Sequence, residues 1–242
     1  MTKEIIYPIG INKYLAYKNI CSRHEADKLV QQRKVKINGK VALPIDKVNE
    51  KDNVTVEGFK KKLVYLAFNK PHGVITHSPQ KGEKSIKDIL NFGKDVYPLG
   101  RLDKNSSGLI ILTNDGRITD KLLNPEYEHE KEYIVRVSKP IDGLFLKKMA
   151  NGLRLEDGYV TKNSIVTKVS NDRFSIVLTE GKKHQIRRMC ALLGYSILNL
   201  ERRRIMNIKL NKLQPGEFRE IKGKELTDFL KNLGLDEQNK SN

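Results

Sequence analysis

One segment, residues 100–116, restricts the fold of this chain more than any other. It begins as a polar, glycine-bounded loop and continues into the apolar run Leu109–Thr113, which ends at the turn-forming triplet Asn114-Asp115-Gly116. An apolar run of this length between turn signals predicts a buried β-strand. The loop therefore carries Arg101 and Asp103 to the start of a strand, where a rigid scaffold can hold reactive groups.

The rest of residues 63–242 mixes short strand signals with a few helical ones. Because strands outnumber helices and few long helices separate them, we expect an antiparallel or mixed sheet rather than a doubly wound parallel one. The predicted strands are Leu63–Phe68, Leu109–Thr113, Tyr133–Val137, Ser164–Val169, Phe174–Thr179 and Arg204–Leu210. The predicted helices are Thr119–Leu123, Leu144–Asn151, His184–Leu193 and Lys224–Leu233. Gly194 is a typical stop for the third helix.

Residues 1–60 form a separate part with a higher density of charge, which ends at the lysine run Lys60–Lys62. Apolar spacing predicts two helices followed by short alternating strands. The second helix begins with the spacing of a capping box, and a tight hairpin turn connects the strands. The signals for these features are Ser22-Arg23-His24-Glu25, Val35–Ile37, Asn38-Gly39 and Val54–Val56. We therefore predict an α+β chain with two domains, residues 1–60 and 63–242.

The charge balance limits the classes of partner. The 242 residues include 46 Lys and Arg against 29 Asp and Glu, a formal net charge of +17. Such an excess favours nucleic acid first and an anionic membrane surface second. The longest apolar run, Leu63–Phe68, is too short to cross a bilayer, and the N-terminus lacks the apolar core of a signal peptide. We expect a cytoplasmic protein that does not bind membranes.

Metal and redox chemistry are not indicated either. The two cysteines, Cys21 and Cys190, are too few for a disulfide framework or a four-thiolate zinc site, and the five histidines are dispersed. No dinucleotide-binding fingerprint or Walker loop is present. Cys190 lies on the apolar face of a predicted helix, so we expect it in the core.

Residues 100–116, read as GRLDxxSSGLxxLTNDG, resemble the signature of the RNA pseudouridine synthases. Within them they resemble the RsuA-type family, which modifies ribosomal RNA. Three further segments resemble the same family in the same order: Asn69–Val74, His129–Tyr133 and Gly181–Met189. Residues 1–60 resemble the S-four-like RNA-binding module that commonly precedes this catalytic domain.

Within the RsuA-type family, which includes RluB-, RluE- and RluF-like enzymes, the chain is most similar to the RluF-type branch. The segments Leu200–Arg202 and Arg204–Asn207 carry this similarity. The known targets of that branch lie in large-subunit ribosomal RNA and in one tRNA anticodon loop.

The resemblance implies an isomerase that converts uridine to pseudouridine in RNA. The glycosidic N–C bond breaks, the uracil rotates, and the base reattaches through carbon 5. Since no net redox change occurs and no group is carried away, we expect no cofactor and no metal. The target base must leave its stack to reach a pocket. We expect structured RNA as the partner, ribosomal RNA or tRNA or both, and a monomeric protein.

The resemblance also assigns three catalytic residues. Asp103 corresponds to the family's aspartate, which acts at the ribose either as a nucleophile or as a base; a turn or cap would be the ordinary role of a lone loop aspartate. Tyr133, otherwise an ordinary strand tyrosine, would stack on the flipped uracil and help with the proton at carbon 5. Arg187 would form a fork-shaped pair with Asp103, while Arg188 suits contact with a phosphate better.

Basic residues near these positions predict RNA-binding surfaces, although a charge run is usually a solvated face. In the catalytic domain the predicted RNA-binding residues are Lys70, Arg101, Lys182, Lys183, Arg188 and Arg202. In the first domain they are Lys13, Arg23, Lys28 and Arg33, which come from the two helices and the start of the strand. Clustered cations of this kind bind the phosphate backbone.

Two other functions account for parts of the sequence. A non-catalytic RNA-binding or ribosome-assembly factor would keep the fold but tend to lose Asp103, Tyr133 or Arg187, and all three positions are occupied. A DNA-binding regulator would explain only the charge, because the two N-terminal helices lack a clear set of base-reading side chains.

Overall fold

The computed structural model describes residues 6–18, 20–21, 23–59, 62–92 and 96–235. The chain divides into two compact units, residues 1–63 and 64–242. Within its described residues the first unit has the helices α1 (Ile11–Tyr17) and α2 (Arg23–Gln31). Its strands are β1 (Ile9–Gly10), β2 (Val35–Ile37), β3 (Lys40–Val41), β4 (Lys47–Val48) and β5 (Val54–Val56).

The first unit buries the apolar residues whose spacing predicted its helices. Ile11 and Leu15 of α1 share one core with Ala26, Leu29 and Val30 of α2. Strand β2 pairs antiparallel with β3 and β5, and β1 pairs with β4. The predicted hairpin turn between β2 and β3 is confirmed, because Asn38 and Gly39 have φ values of 52° and 81°.

Two predicted features of this part cannot be compared with the structure. The capping box begins at Ser22, and the lysine run begins at Lys60-Lys61; these residues lie outside the described ones.

The second unit is built on one mixed sheet. Its strands are β6 (Tyr65–Lys70), β7 (Tyr97–Leu99), β8 (Ser107–Thr113), β9 (Lys131–Val137), β10 (Ile165–Ser170), β11 (Arg173–Leu178), β12 (Ile197–Ile205), β13 (Ile208–Lys209) and β14 (Phe218–Glu220). Its helices are α3 (Ile86–Ile89), α4 (Ile118–Leu123), α5 (Gly143–Ala150), α6 (Gln185–Leu192) and α7 (Gly223–Asn232). None of the described helices has the length and apolar composition that crossing a membrane requires.

The strand order of this sheet is β10-β11-β9-β12-β8-β6-β14, with β7 paired to β8 and β13 to β12. Strands β8 and β12 run parallel, and the other described pairs of this sheet are antiparallel. The mixed, mostly antiparallel sheet predicted from the sequence is therefore confirmed.

Each half of the sheet has an apolar cluster of its own. Side chains of β9 and β11 share a core with Phe145 and Met149 of α5 and with Met189 and Cys190 of α6, as expected for Cys190. Side chains of β6 and β8 form a second cluster with Ile86 of α3.

The predicted strand Arg204–Leu210 is wrong. The chain runs as β12 up to Ile205, turns at Met206-Asn207 and returns as β13. The sequence does not predict the first part of β12 as a strand. This strand contains Glu201 and three arginines, which interrupt the apolar alternation by which strands are recognised. Strands β7 and β14 have three residues each, too short for a sequence alternation to be recognised.

The contact between β8 and β12 depends on Gly108. This glycine has a φ of +105°, and a Cβ atom added to it would lie 2.3 Å from the Arg202 carbonyl oxygen and 2.6 Å from the Arg202 nitrogen. Gly108 is paired with Arg202, and Arg202 is in turn paired with Tyr133 of β9. A side chain at position 108 would therefore separate the two halves of the sheet.

We expect Gly108→Ala to lower the free energy of unfolding by about 3 kcal/mol, because the methyl group adds a backbone clash to the strain of a positive φ. Gly158→Ala is the matched control, since Gly158 has a φ of +82° with nothing within 4 Å of an added Cβ. The control should lose only about 1 kcal/mol. Urea unfolding measures both values. Equal losses would contradict the close approach.

We expect residues 63–242 to fold without residues 1–60, because each unit has its own apolar core. The isolated fragment should be soluble and show one cooperative thermal transition by circular dichroism. An insoluble or unfolded fragment would contradict the domain boundary predicted from the sequence.

Candidate active site

A cavity of about 550 Å³ opens in the second unit. Both Asp103, from the loop before β8, and Tyr133, from β9, line it. The other charged or titratable lining residues are Arg101, Lys131, Glu180, Lys182, Lys183, His184 and Arg202. The apolar part of the wall includes Leu99, Leu102, Leu122, Leu123, Leu178, Ile186, Leu200 and Ile205.

The register of three strands explains why Asp103 and Tyr133 line the same cavity. Gly108 of β8 lies beside Arg202 of β12, which lies beside Tyr133 of β9. The residues that precede β8 therefore reach the same end of the sheet as Tyr133. The structure thus brings together two of the three residues predicted to be catalytic.

The Asp103 loop, residues 100–106, is held by main-chain hydrogen bonds. The carbonyl oxygen of Asp103 accepts from the Ser106 N–H at 3.0 Å, and that of Lys104 accepts from the Gly73 N–H at 2.8 Å. The Thr76 hydroxyl donates to the Leu102 carbonyl at 2.8 Å and accepts from the Leu102 N–H at 3.1 Å. The Asp103 side chain stays 41% exposed, so it faces the open cavity.

Arg187 does not form the predicted fork-shaped pair with Asp103. Its Nη2 atom donates to the Asn105 carbonyl oxygen at 2.6 Å and to Ser106 Oγ at 3.1 Å. These acceptors belong to the Asp103 loop, and both use the Nη2 atom. Arg187 therefore acts on the main chain that carries Asp103.

The basic side chain beside Asp103 is His184, which was not among the site residues predicted from the sequence. Its Nε2 atom lies 3.5 Å from Asp103 Oδ1, the only ion pair that Asp103 makes within the described residues. His184 immediately precedes α6 and has a φ of 53°. Its position directly before the segment Gln185-Ile186-Arg187 is the signal that could have identified it.

Lys70 and Arg202, two of the predicted RNA-binding residues, are buried. Lys70 Nζ donates to the carbonyl oxygens of Pro71 and Val74 at 2.9 and 2.6 Å. Burial lowers the pKa of Lys70 to about 8, although the nearby Asp103 carboxylate opposes this shift. Arg202 Nε donates to the Leu109 carbonyl oxygen at 2.7 Å, and no described residue accepts from its buried Nη2 atom.

Lys131 is a second residue that sequence reasoning missed. It lies two residues before Tyr133 on β9, so both side chains point to the same face of the sheet and line the cavity. Its Nζ atom donates to the His129 carbonyl oxygen at 3.0 Å. Burial, and then the neighbouring Arg202, lowers the pKa of Lys131 to about 8. The alternation along β9 could have indicated this position.

Arg188, which the sequence predicts to contact a phosphate, is paired with two exposed carboxylates. It pairs with Glu156, and its Nη2 atom lies 2.7 Å from Asp157 Oδ2. By contrast, Arg101, Lys182 and Lys183 are exposed, as their predicted role requires. Lys182 Nζ lies 4.5 Å from the centre of the Tyr159 ring.

Glu180 fixes the position of the turn before α6, which contains Lys182 and Lys183. It is buried, and its carboxylate accepts from the Tyr159 hydroxyl, from Gln185 Nε2 and, at 3.1 Å, from the Lys162 N–H. The hydrogen bond to Glu180 raises the pKa of Tyr159 to about 12. Gln185 in turn accepts from the Lys182 N–H at 3.0 Å, so the turn before α6 has a fixed shape.

The predicted RNA-binding residues of the first unit lie on its surface. Lys13 is on α1, Arg23 and Lys28 are on α2, and Arg33 follows α2. All four are exposed, as contact with phosphates requires. In neither unit do the described residues form a group of three or more His, Cys, Asp or Glu that could hold a metal ion.

Comparisons with known proteins agree with the motifs quoted above. Residues 64–192 match the family described as RNA pseudouridylate synthase, and residues 9–54 match the S4 domain. The dual-specificity RNA pseudouridine synthase RluF of Escherichia coli (strain K12) is 42% identical over 229 residues, which cover 92% of this chain and 79% of RluF. The ribosomal large subunit pseudouridine synthase B of Bacillus subtilis (strain 168) is 34% identical over 222 residues, which cover 87% and 91% of the two chains.

A solved structure supports the same assignment over the whole length. The crystal structure of a pseudouridylate synthase matches with a TM-score of 0.67 and 25% sequence identity, covering 93% of this chain and 99% of that one. Sequence, domain order and fold therefore agree: this chain belongs to the RsuA-type RNA pseudouridine synthases, which are isomerases.

Proposed function

We propose that this protein converts a specific uridine of ribosomal RNA to pseudouridine, and that Asp103 is the group that acts at the ribose. The observation that carries the proposal is the cavity that Asp103 and Tyr133 share. Two relatives that act on RNA, one of them named for the large ribosomal subunit, support ribosomal RNA as the substrate. The RluF relative is named for a dual specificity, which favours tRNA as a second substrate.

A base that stays stacked in a duplex cannot bring its C1′–N1 bond and its C5 atom into a cavity, so the target uridine would be flipped out of its stack. The ring of Tyr133 would then stack on the uracil, and the apolar wall around Leu102 and Leu200 would replace the lost contacts. The S4 domain would contact phosphates through its exposed basic residues, which include Lys13 and Lys28.

Two reactions are open to the Asp103 carboxylate. As a nucleophile it would bond to ribose C1′ while the bond from C1′ to N1 breaks, and C5 of the rotated uracil would later displace it. As a base it would remove the proton at C2′ while uracil leaves, which forms a C1′=C2′ double bond, and it would return that proton to C2′ as C5 bonds to C1′. In both cases negative charge develops on uracil, where Lys131 and Arg202 would stabilise it.

The proton on C5 must leave once the new carbon–carbon bond exists. Tyr133 lines the cavity, and its hydroxyl would accept this proton, directly or through water. Release of this hydrogen makes the reaction measurable with uridine that carries tritium at carbon 5.

We expect Asp103→Asn to abolish tritium release while the fold and most of the RNA affinity persist. An amide is neither a useful nucleophile nor a base, and the affinity comes largely from phosphate contacts elsewhere. The measurements are tritium release and filter binding with the same labelled ribosomal RNA. Asp172→Asn is the control, because Asp172 pairs with Arg136 and does not line the cavity.

Two results would contradict this role of Asp103. Tritium release near the wild-type rate would show that the carboxylate is not needed, as in a non-catalytic RNA-binding factor. Joint loss of activity, binding and folding would show that Asp103 only stabilises its loop.

We expect Arg187→Ala to lower kcat by about a hundred-fold with little change in RNA affinity. The guanidinium holds the Asn105 carbonyl and the Ser106 hydroxyl, so its loss releases the loop that positions the carboxylate. Arg136→Ala removes a surface ion pair from β9 and should leave kcat unchanged. Single-turnover rates and filter binding test this; a loss of affinity with an unchanged rate would assign Arg187 to RNA binding instead.

A further inference from the structure

We propose that His184 is a substrate-binding residue of this site, whose imidazolium exchanges Asp103 for the phosphate next to the target uridine when RNA enters. This inference rests on the proposed function. Nε2 of His184 lies 3.5 Å from Asp103 Oδ1, and the two side chains are 48% and 41% exposed. An ion pair this open to water is weak, so a phosphate can replace the carboxylate without a large loss.

The backbone at His184 is unusual for a residue that begins a helix. Its φ and ψ of 53° and 26° lie in the left-handed region, and its side chain makes no capping hydrogen bond to α6. Residues at this position usually cap the helix with their side chain. A strained backbone conformation that makes no stabilising local hydrogen bond is typical of functional sites. Here the left-handed turn directs the imidazole to Asp103 instead of the helix.

Three other cations at or beside the cavity donate to neutral oxygen atoms of the protein. Arg187 is held by Asn105 and Ser106, Arg202 by the Leu109 carbonyl oxygen, and Lys131 by the His129 carbonyl oxygen. His184 differs because its partner is the carboxylate that must turn to the ribose. When Asp103 does so, the imidazolium loses its counter-ion at the place where the sugar-phosphate backbone arrives.

Charged and titratable groups from several elements share the cavity with His184. They are Arg101 and Asp103 of the loop before β8, Lys131 and Tyr133 of β9, Arg202 of β12, and Glu180, Lys182 and Lys183 before α6. Lys70 lies near Asp103, and Arg187 contacts the loop that carries Asp103. An imidazole ordinarily changes its charge between about pH 5 and pH 8. If its positive form binds phosphate, the KM for RNA should rise as the pH rises through that range.

Two substitutions separate binding from other roles. His184→Asn removes the positive charge, and asparagine tolerates a left-handed backbone. We expect KM to rise about ten-fold at pH 6.5, with kcat changed by less than about three-fold, as for one lost charged contact. His184→Arg keeps the charge at every pH, so KM should stay near its low-pH value and lose its dependence on pH between 6 and 8.

The assay is tritium release from ribosomal RNA labelled at carbon 5 of uridine and prepared from cells that lack this protein. His72→Gln is the matched control, because His72 is exposed and does not line the cavity. Thermal melting by circular dichroism verifies that each variant is folded. If the asparagine variant does not fold, the KM of the arginine variant and the pH profile of the wild-type KM still test whether His184 binds the RNA.

Three results would overturn the inference alone: an unchanged KM in His184→Asn, a fall in kcat without a rise in KM, or a pH dependence of KM that persists in His184→Arg. The failure of the proposed function is a different outcome. In that case the wild type itself releases no tritium from either ribosomal RNA or tRNA, and the inference about His184 is overturned with it.

Discussion

The parallel pairing of β8 with β12 joins two halves of the sheet that come from different parts of the sequence. Parallel strands need a long connection, and here the connection contains β9, α5, β10, β11 and α6, which is the whole other half. The two strands approach so closely at Gly108 that no side chain fits between them. The buried Arg202 guanidinium then ties β12 to the Leu109 carbonyl oxygen of β8. Asp103 and Tyr133, one from each half, reach one cavity because this contact exists.

A second regularity concerns the partners of the basic residues. Three cations at or beside the cavity are held by neutral main-chain oxygens: Lys70 by Val74, Lys131 by His129, and Arg187 by Asn105. Arg188 and Arg204, which do not line the cavity, are paired with carboxylates that offset their charge. Carbonyl oxygens orient a cation without neutralising it, so the positive potential remains where the proposed reaction develops an anion.

The sequence was sufficient for the features that depend on local pattern or on a long motif. The family, the two-domain order, the mixed sheet and the hairpin turn at Asn38-Gly39 were all predicted. Features that depend on contacts between distant segments were not. Nothing in the sequence around Lys70 or Arg202 shows that their charges are buried, because charged residues usually lie at the surface. Arg187 was assigned the wrong partner for the same reason, since the carbonyl oxygen of Asn105 is invisible in a sequence pattern.

The positive charge of this enzyme falls into an exposed set and a buried set, and the two differ in how dissolved ions affect them. Lys13, Lys28 and Lys183 are exposed, so added salt screens their positive charge. Lys70 and Arg202 are enclosed by protein, where screening is much weaker. Ionic strength should therefore govern how often RNA is captured, while the rate of isomerisation of an RNA already bound stays nearly constant. An enzyme arranged in this way can release its product into a solution of high ionic strength and still keep the electrostatic field inside its cavity.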